Sequence, residues 1–303
     1  SQASITIEAI DNDGVLNQFE APQSVLVGLV HNVEDGRPVE VAVTDSNGKT
    51  LLFSSVVLNG VWRLEGVDLS SLADGELSLR AITSDLEGNI GVGTGSVTKD
   101  TQASITISII DDDNVINAAE LQFVKVQGVV NNVEDGAVVS VTLFDGQGHS
   151  EMVEAVVVSG LSVIEDIEMS DFADGQLYAT ADVVDSAGNP ATTNTSINVD
   201  TQATITIEVD TGSDTVINTR EAVSVAMSGS VTDIEDGQNV FVIVRDVNGD
   251  RLIFRTTVVD GKWQLDDVDL SSLSDGELNF TALSYDVAGN PAAGFDGAYK
   301  ETQ

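Results

Sequence analysis

The chain has 303 residues and a formal net charge of −38, which comes from 50 Asp and Glu against 12 Lys and Arg. A field of this sign repels phosphate backbones and anionic membrane surfaces, so it argues against nucleic acid and lipid headgroups as ligands and in favour of cations. Cysteine is absent, which excludes disulfides and thiolate metal sites, while 42% hydrophobic residues in alternating runs predict a buried core.

The sequence repeats itself. Residues 1–6, SQASIT, return as TQASIT at 101–106 and as TQATIT at 201–206, and residues 302–303 begin the motif again. A unit of about 100 residues can close its own hydrophobic core, unlike the shorter units of solenoids. We therefore predict three tandem domains, 1–100, 101–200 and 201–301, with 302–303 as the start of a further repeat. Their net charges are −10, −16 and −12.

Repeat 1 alternates apolar and polar residues with a period of two, which is typical of half-buried strands. The apolar members of its first runs are Ile5, Ile7 and Ala9, then Val25, Val27 and Leu29, then Val39, Val41 and Val43. Six turn signals, at 11–14, 34–36, 46–48, 59–60, 73–75 and 87–89, separate seven strands that we label A to G. Seven short strands in about 100 residues predict an all-β fold, an immunoglobulin-like β-sandwich in each repeat and an elongated array.

One tryptophan recurs between the repeats. Trp62 returns as Trp263 but is replaced by Ser162 in the middle repeat. A tryptophan that serine can replace is more typical of core filling than of a ligand-binding platform.

Strand direction divides the loops between two poles. The A–B, C–D and E–F loops and the exit of strand G share one pole, and the B–C, D–E and F–G loops share the other. In tandem domains one pole meets the opposite pole of the next domain, so acidic residues should converge at each junction. We predict these clusters to be Asp100, Glu134, Asp135 and Asp185 at the first junction, and Asp200, Glu235, Asp236 and Asp286 at the second. Asp35 and Asp85 are their counterparts in repeat 1.

Four carboxylates gathered without a Lys or Arg repel one another and require a counterion. Calcium fits this requirement, since it takes six to eight oxygen ligands in flexible geometry, whereas Mg²⁺ prefers a tighter octahedron and zinc favours Cys and His. The alternative is that Asp and Asn before Gly serve only as turn residues and that acidic surfaces serve solubility.

The A–B loop is a second candidate calcium site. Its spacing of acidic residues, a glycine turn and a distal Glu is similar to that of a calcium loop, although it is shorter than an EF-hand loop. The candidate ligands are Asp11, Asp13 and Glu20 in repeat 1, Asp111, Asp113 and Glu120 in repeat 2, and Asp210, Asp214 and Glu221 in repeat 3.

Catalysis finds little support in the sequence, since nothing marks two of the 50 acidic residues as the carboxylate pair of a glycosidase. The two histidines, His31 and His149, do not recur between repeats, and no glycine-rich phosphate loop opens a helix. We therefore predict that the chain is not an enzyme. We also expect neither a membrane span nor a signal peptide, because no sufficiently long apolar segment and no leader pattern are present.

A motif in strands E to G resembles a known family. The pattern D-G, an alternating strand and then D-x-x-G-N occupies 74–89, 174–189 and 275–290. It is similar to the bacterial immunoglobulin-like repeats of giant, type I secreted (RTX-type) adhesins. The resemblance implies a calcium-stiffened extender that projects a distal ligand-binding domain from the bacterial surface, in cell adhesion and biofilms, as a secreted and monomeric protein contacting its neighbouring repeats. The alternative is a module that itself binds a glycan or a protein, which predicts one repeat with a distinctive exposed aromatic patch.

Overall fold

The computed structural model describes residues 2–8, 10, 13–212 and 214–303, and this part of the chain is built from β-strands with two short 3-10 helices at Ala21–Gln23 and Glu221–Val223. None of its helices is long and apolar enough to cross a membrane. The all-β class predicted from the alternating pattern is therefore confirmed.

Each repeat forms two sheets. The strands of repeat 1 are β1 (Ser4–Ile5), β2 (Val15–Leu16), β3 (Ser24–His31), β4 (Pro38–Thr44), β5 (Thr50–Val56), β6 (Val61–Val67), β7 (Gly75–Ser84) and β8 (Ile90–Lys99). They form a three-stranded sheet in the order β1-β3-β6 and a five-stranded sheet in the order β2-β8-β7-β4-β5.

Repeats 2 and 3 reproduce this arrangement. Repeat 2 contains β9 (Ser104–Ile110), β10 (Val115–Ile116), β11 (Val124–Asn131), β12 (Val138–Phe144), β13 (Ser150–Val156), β14 (Leu161–Ile167), β15 (Gly175–Val184) and β16 (Pro190–Val199). Repeat 3 contains β17 (Thr204–Ile205), β18 (Glu208–Asp210), β19 (Val216–Ile217), β20 (Val225–Thr232), β21 (Asn239–Arg245), β22 (Arg251–Thr257), β23 (Lys262–Val268), β24 (Gly276–Tyr285) and β25 (Pro291–Lys300). Their five-stranded sheets run β10-β16-β15-β12-β13 and β19-β25-β24-β21-β22.

The predicted strands B to G correspond to β3 to β8 in repeat 1, but strand A differs from the prediction. It divides between the sheets: β1 pairs antiparallel with β3, and β2 pairs parallel with β8. The segment predicted as an open A–B loop thus contains a strand, because Leu16 is 1% exposed and fills the core from within it. The same short strand recurs as β10 and β19.

Among the described residues, three separate hydrophobic cores lie between the sheets, and each takes its residues from one repeat. In repeat 1 the inward positions of β4 are Val39, Val41 and Val43, all fully buried, as the period of two predicted. The sandwich architecture is therefore confirmed for each repeat, and the boundaries at 100, 200 and 301 stay a prediction.

Trp62 belongs to the core of repeat 1 and is fully buried. Its indole Nε1 donates a hydrogen bond of 3.0 Å to the Thr6 carbonyl, and Trp263 makes the equivalent bond to Thr206. Gly28 lies beside the ring, where an added Cβ would come within 2.5 Å of the indole nitrogen. The complete burial of Trp62 agrees with the prediction that this tryptophan fills the core.

We expect Trp62→Ser, which introduces the residue found in repeat 2, to destabilise repeat 1 by about 3–5 kcal/mol, because the core of repeat 1 is packed around the ring. Differential scanning calorimetry of the three-repeat protein should show one transition moved to lower temperature. The control is Arg63→Ser, which alters the next, exposed side chain of β6 and should cost less than about 0.5 kcal/mol. Equal effects of the two substitutions would contradict this assignment of the core.

Candidate functional site at the domain junctions

The loops gather at two poles as predicted. In repeat 1 the Glu34 carboxylate of the B–C turn accepts the Leu86 N–H of the F–G turn at 3.0 Å. Asp35 accepts the Asn59 N–H of the D–E turn at 2.8 Å. At the opposite pole Asp45 of the C–D turn accepts an N–H from the E–F loop at 2.9 Å. Hydrogen bonds between loops therefore give each pole a defined shape.

Asn189, in the F–G turn of repeat 2, connects the first two domains. Its Oδ1 accepts the Gln18 N–H of repeat 1 at 2.8 Å, and its Nδ2 donates to the Asp100 carbonyl at 2.9 Å. The second Nδ2 hydrogen and the Asn189 N–H both bind the Asp185 carboxylate, at 2.7 and 2.8 Å. Since Asn189 is 0% exposed, its amide joins three segments in a site closed to solvent.

Asn290 repeats these contacts at the second junction. Its Oδ1 accepts the Ala118 N–H at 2.9 Å, and its Nδ2 donates to the Asp200 carbonyl at 2.7 Å and to Asp286 at 2.8 Å. Asn117 adds a hydrogen bond of 3.0 Å to the Ala288 carbonyl. The two junctions are thus built on the same plan.

Small apolar residues close the junctions beside these amides. Ala187 is 6% and Ala288 is 4% exposed, each one residue before the glycine of its F–G turn. Repeat 1 has the exposed Glu87 at the same position. A small side chain allows the A–B loop of the preceding domain to approach the turn.

At the first junction, the surroundings of Asp100 disfavour the charged form of its carboxyl group. Burial raises the pKa of its carboxyl above the ordinary value, because the charged form loses hydration. The neighbouring carboxylates of Asp185, Asp74 and Glu134 raise this pKa further. Three of the four residues predicted for this cluster, Asp100, Glu134 and Asp185, therefore act on one another across the domain boundary.

Asp200 is in the same position at the second junction. Burial raises the pKa of its carboxyl, and the Asp286 carboxylate of the next domain is the second cause. Asp174 and Glu235 add to the same effect. The second junction therefore also places like charges together without compensating for them.

Most of the other carboxylates predicted for the junctions accept hydrogen bonds from donors in their own domains. Glu134 accepts hydrogen bonds from the Ser186 N–H and hydroxyl at 2.9 and 2.6 Å, which lower the pKa of its carboxyl, and Glu235 accepts the Val287 N–H at 2.9 Å. Asp236 accepts the Gly261 N–H at 3.2 Å, and Asp135 is exposed in the equivalent B–C turn of repeat 2. The Asp in this turn is thus directed at the D–E turn of its own domain in repeats 1 and 3.

One lysine lies beside the first junction, where among the described residues it pairs with Asp74 and with none of the four carboxylates predicted for the cluster. Lys99, at the end of β8, is 4% exposed, and its Nζ donates to Asp74 at 2.7 Å and to the Leu72 carbonyl at 2.9 Å. Burial works to raise the pKa of Asp74, but hydrogen bonds from Lys99 and Thr101 outweigh it and lower that pKa. The lysine stem packs at an inward strand position, where a charged residue is unusual.

Repeat 2 has Val199 at the position of Lys99, and this valine is 1% exposed. Asp174, the counterpart of Asp74, keeps only the hydrogen bonds from Thr201, and no salt bridge among the described residues involves it. Lys300 restores the buried lysine in repeat 3, where its Nζ lies 3.6 Å from Asp275. The second junction thus lacks the cation that the first one has.

The A–B loops use their carboxylates to cap the backbone. Asp13 accepts the Val15 N–H at 3.0 Å and Glu20 accepts the Asn17 N–H at 3.0 Å, while Asp11 lies outside the described residues. The other predicted ligands accept backbone N–H groups in the same manner: Asp111, Asp113 and Glu120 in repeat 2, and Asp210, Asp214 and Glu221 in repeat 3. These contacts match the alternative of turn residues, and a calcium role for the loop stays a prediction.

Within the described ranges, no three His, Asp or Glu side chains are close enough together to hold a metal ion as they stand. Asp74 and Asp100 nevertheless line one cleft with Glu134 of the next domain. The structure therefore brings the charge of Asp100 near Glu134 and Asp185, and that of Asp200 near Glu235 and Asp286. A metal site at either junction stays a prediction.

Sequence reasoning missed two kinds of functional residue. Asn189 and Asn290 were part of the recurring D-x-x-G-N motif, but their partners in the preceding domain leave no local signal. Lys99 had one signal, because it occupies an inward position in the alternation of β8. A charged residue at such a position indicates a buried ion pair.

No protein-family model and no curated protein sequence matches the chain. Solved structures do. A Ca²⁺-stabilized adhesin that helps an Antarctic bacterium reach out and bind ice is 31% identical, with 100% of this chain and 75% of that chain covered and a TM-score of 0.44. A tetra-tandem repeat in the extending region of a large adhesion protein is 28% identical, covering 98% and 74%, with a TM-score of 0.35.

Three titin immunoglobulin domains match over 100% of both chains at 10% identity, with a TM-score of 0.51, which supports the fold alone. The relation to the adhesins comes instead from the sequence, since 31% identity extends over the whole of this chain and three quarters of its counterpart. The chain belongs to the tandem immunoglobulin-like repeats of large bacterial adhesins.

Proposed function

We propose that this chain is an extender segment of a bacterial cell-surface adhesin, in which calcium ions at the domain junctions stiffen the array and a distal ligand-binding domain is held away from the cell. The observation that carries the proposal is the position of Asp100 and Asp200. Each is partly buried against carboxylates of the next domain, so each junction carries a charge that the protein does not neutralise by itself.

The donor set fits calcium. Asp100 and Asp200 would hold the ion, because their carboxylates take part in few hydrogen bonds, whereas Glu134 and Asp185 already bind backbone and side-chain donors. Calcium accepts water and backbone carbonyls among its six to eight oxygen ligands, so it does not require three protein carboxylates. A bound divalent cation would supply the positive charge that the junction lacks.

The comparisons support the extender role and the ion. The similar proteins are described as an extending region of a large adhesion protein and as a Ca²⁺-stabilized adhesin. Both are adhesins rather than enzymes, in agreement with the absence of a recurring catalytic motif. On this basis we assign the chain to the extracellular surface of a bacterium, without catalytic activity.

The two junctions should differ in their need for the ion. Lys99 already neutralises Asp74 beside the first junction, whereas the second junction has Val199 at that position. The second junction should therefore depend more strongly on calcium than the first.

Calcium should narrow the distribution of distances between neighbouring domains. Because cysteine is absent, spin labels can be attached at Ser54→Cys and Ser150→Cys for the first junction and at Ser150→Cys and Thr257→Cys for the second. Pulsed electron resonance should give broad distributions in chelator and narrow ones in calcium, with the larger change at the second junction. At ten times its dissociation constant, calcium should add about 1.4 kcal/mol per site. Identical distributions with and without calcium would overturn the proposed stiffening, and Mg²⁺ serves as the control ion.

Asn189→Ala should loosen the first junction even in calcium, because it removes the hydrogen bonds to Gln18 and to the Asp100 carbonyl and leaves those groups unpaired. We expect a cost of about 1–3 kcal/mol in domain docking, read as a broader distance distribution between repeats 1 and 2. Asn89→Ala is the matched control, since Asn89 binds Asp85 within repeat 1 and is exposed. The hydrogen-bonded junction is refuted should both variants broaden the distribution equally.

Asp100→Asn should have opposite effects with and without calcium. The folded pKa of Asp100 is raised, so its stabilising contribution is complete below the unfolded value of about 3.8 and is lost as the pH rises through the folded value. At pH 7 without metal, the neutral variant should therefore tighten the first junction, by about 1 kcal/mol or less. In calcium titrations followed by calorimetry, the same variant should bind about tenfold more weakly. Glu40→Gln, which removes one exposed negative charge near the start of β4, at the opposite pole of repeat 1, should change neither. Loss of metal-free rigidity in Asp100→Asn would contradict the charge argument.

A further inference from the structure

The outer face of the five-stranded sheet in repeat 3 differs from the same face in the other repeats. Four strands, G, F, C and D, contribute side chains to this face in three cross-strand rows, and the strand pairing identifies the same twelve positions in every repeat. In repeat 3 the rows are Gly297, Asn279, Arg245 and Arg251; then Phe295, Thr281, Ile243 and Ile253; then Ala293, Leu283, Phe241 and Arg255.

The corresponding faces of the first two repeats mix polar and apolar side chains and carry no net positive charge. Repeat 1 has Ser96, Ser78, Thr44 and Thr50; then Thr94, Arg80, Ala42 and Leu52; then Val92, Ile82, Glu40 and Ser54. Repeat 2 has Ser196, Tyr178, Phe144 and Ser150; then Asn194, Thr180, Thr142 and Met152; then Thr192, Asp182, Ser140 and Glu154. The net charge of these positions is 0 in repeat 1, −2 in repeat 2 and +3 in repeat 3.

The three arginines of repeat 3 are exposed, and the position of two of them destabilises the sheet. Arg245 and Arg251 lie directly opposite each other on β21 and β22, and like charges in this arrangement destabilise a strand pair. None of the salt bridges among the described residues includes Arg245, Arg251 or Arg255. In a chain with 50 acidic residues, this cluster is not used to neutralise the protein's own carboxylates.

Apolar side chains run between the arginines. Phe295 is 74% and Ile253 is 55% exposed, and Phe241 lies beneath the Arg255 guanidinium, 5.8 Å from its carbon to the ring centre. Arg255 is held there by hydrogen bonds of 2.8 and 2.6 Å to the Asn239 side chain. The guanidinium is therefore fixed in direction while its other donors remain available to a ligand.

We propose that this arginine face, formed by Arg245, Arg251 and Arg255 around Phe241, Ile253 and Phe295, binds an anionic polysaccharide. Guanidinium groups pair with carboxylate or sulfate through two parallel hydrogen bonds, and the exposed ring of Phe295 offers a flat apolar surface for the face of a sugar ring. This inference goes beyond the extender role and does not depend on calcium at the junctions.

Charge favours a polysaccharide over a second copy of the chain as the occupant. A second copy would bring a net charge of −38 against another −38 over the whole length of both molecules. An extended polymer can instead remain on one face, close to the arginines. At physiological salt the interaction between exposed charges is largely screened beyond about 8 Å, so acidic residues farther away repel such a polymer only weakly.

The test replaces the arginines with the residues that repeat 1 carries at the same positions, Arg245→Thr, Arg251→Thr and Arg255→Ser, in the three-repeat protein. Binding to immobilised polygalacturonate, dextran sulfate and neutral dextran is measured by surface plasmon resonance in chelator, so that calcium cannot bridge two acidic polymers. We expect the wild-type protein to bind one or both charged polymers more tightly than dextran. The triple variant should lose about tenfold in affinity, as the removal of three exposed charge contacts implies. Binding to polygalacturonate identifies the carboxylate as the recognised group, and binding to dextran sulfate identifies the sulfate.

The control variant, Arg63→Gln, Lys125→Gln and Arg220→Gln, also removes three positive charges, but at positions outside the arginine face. It should bind as the wild type does. An equal loss in this variant would show a nonspecific charge effect and overturn the proposal. Absence of wild-type binding to both charged polymers would do the same. Sedimentation that reveals a dimer abolished by the face substitutions would assign the surface to a second copy instead. Thermal unfolding checks that the triple variant is folded.

Discussion

The structure depends on one buried side-chain amide at each junction. The Asn189 side chain is 0% exposed, and its two amide hydrogens, its side-chain oxygen and its backbone N–H all bind protein groups. Because an unpaired buried polar group costs free energy, the two domains keep the relative position that satisfies all of these bonds. Geometry at the junction is thus set by hydrogen bonds, whereas its charge is left unbalanced.

The unbalanced charge belongs to one aspartate at each junction. Asp100 and Asp200 are drawn toward carboxylates of the next domain by the same docking that satisfies the asparagines. The first junction has the buried Lys99 beside it, whereas the second has Val199 at the same position. The two junctions therefore share a backbone arrangement but differ in charge. The proposed cation would therefore act on an interface whose shape already exists, and it would change the rigidity of the array more than its architecture.

Much of the fold followed from local pattern. The alternation through Val39, Val41 and Val43 identified a strand with one buried face, and hairpin connectivity placed the loops at the correct poles. The short strand β2 was missed because two residues between turn signals have no measurable period. Lys99 was missed because its burial depends on the distant Asp74, and Asn189 because Gln18 and Asp100 belong to another domain. The sequence therefore predicts what neighbouring residues determine, while contacts across a domain boundary require the docked structure.

The parallel pairing of β2 with β8 has a mechanical consequence. One strand lies near the start of the domain and the other at its end, and their backbones are joined by hydrogen bonds that cross between them, including Asp100 N–H to the Leu16 carbonyl at 3.0 Å. A force pulling the two ends apart slides these strands past each other, so the crossing bonds share the load and must break together. A tether of such domains resists tension in shear, without being peeled open one bond at a time.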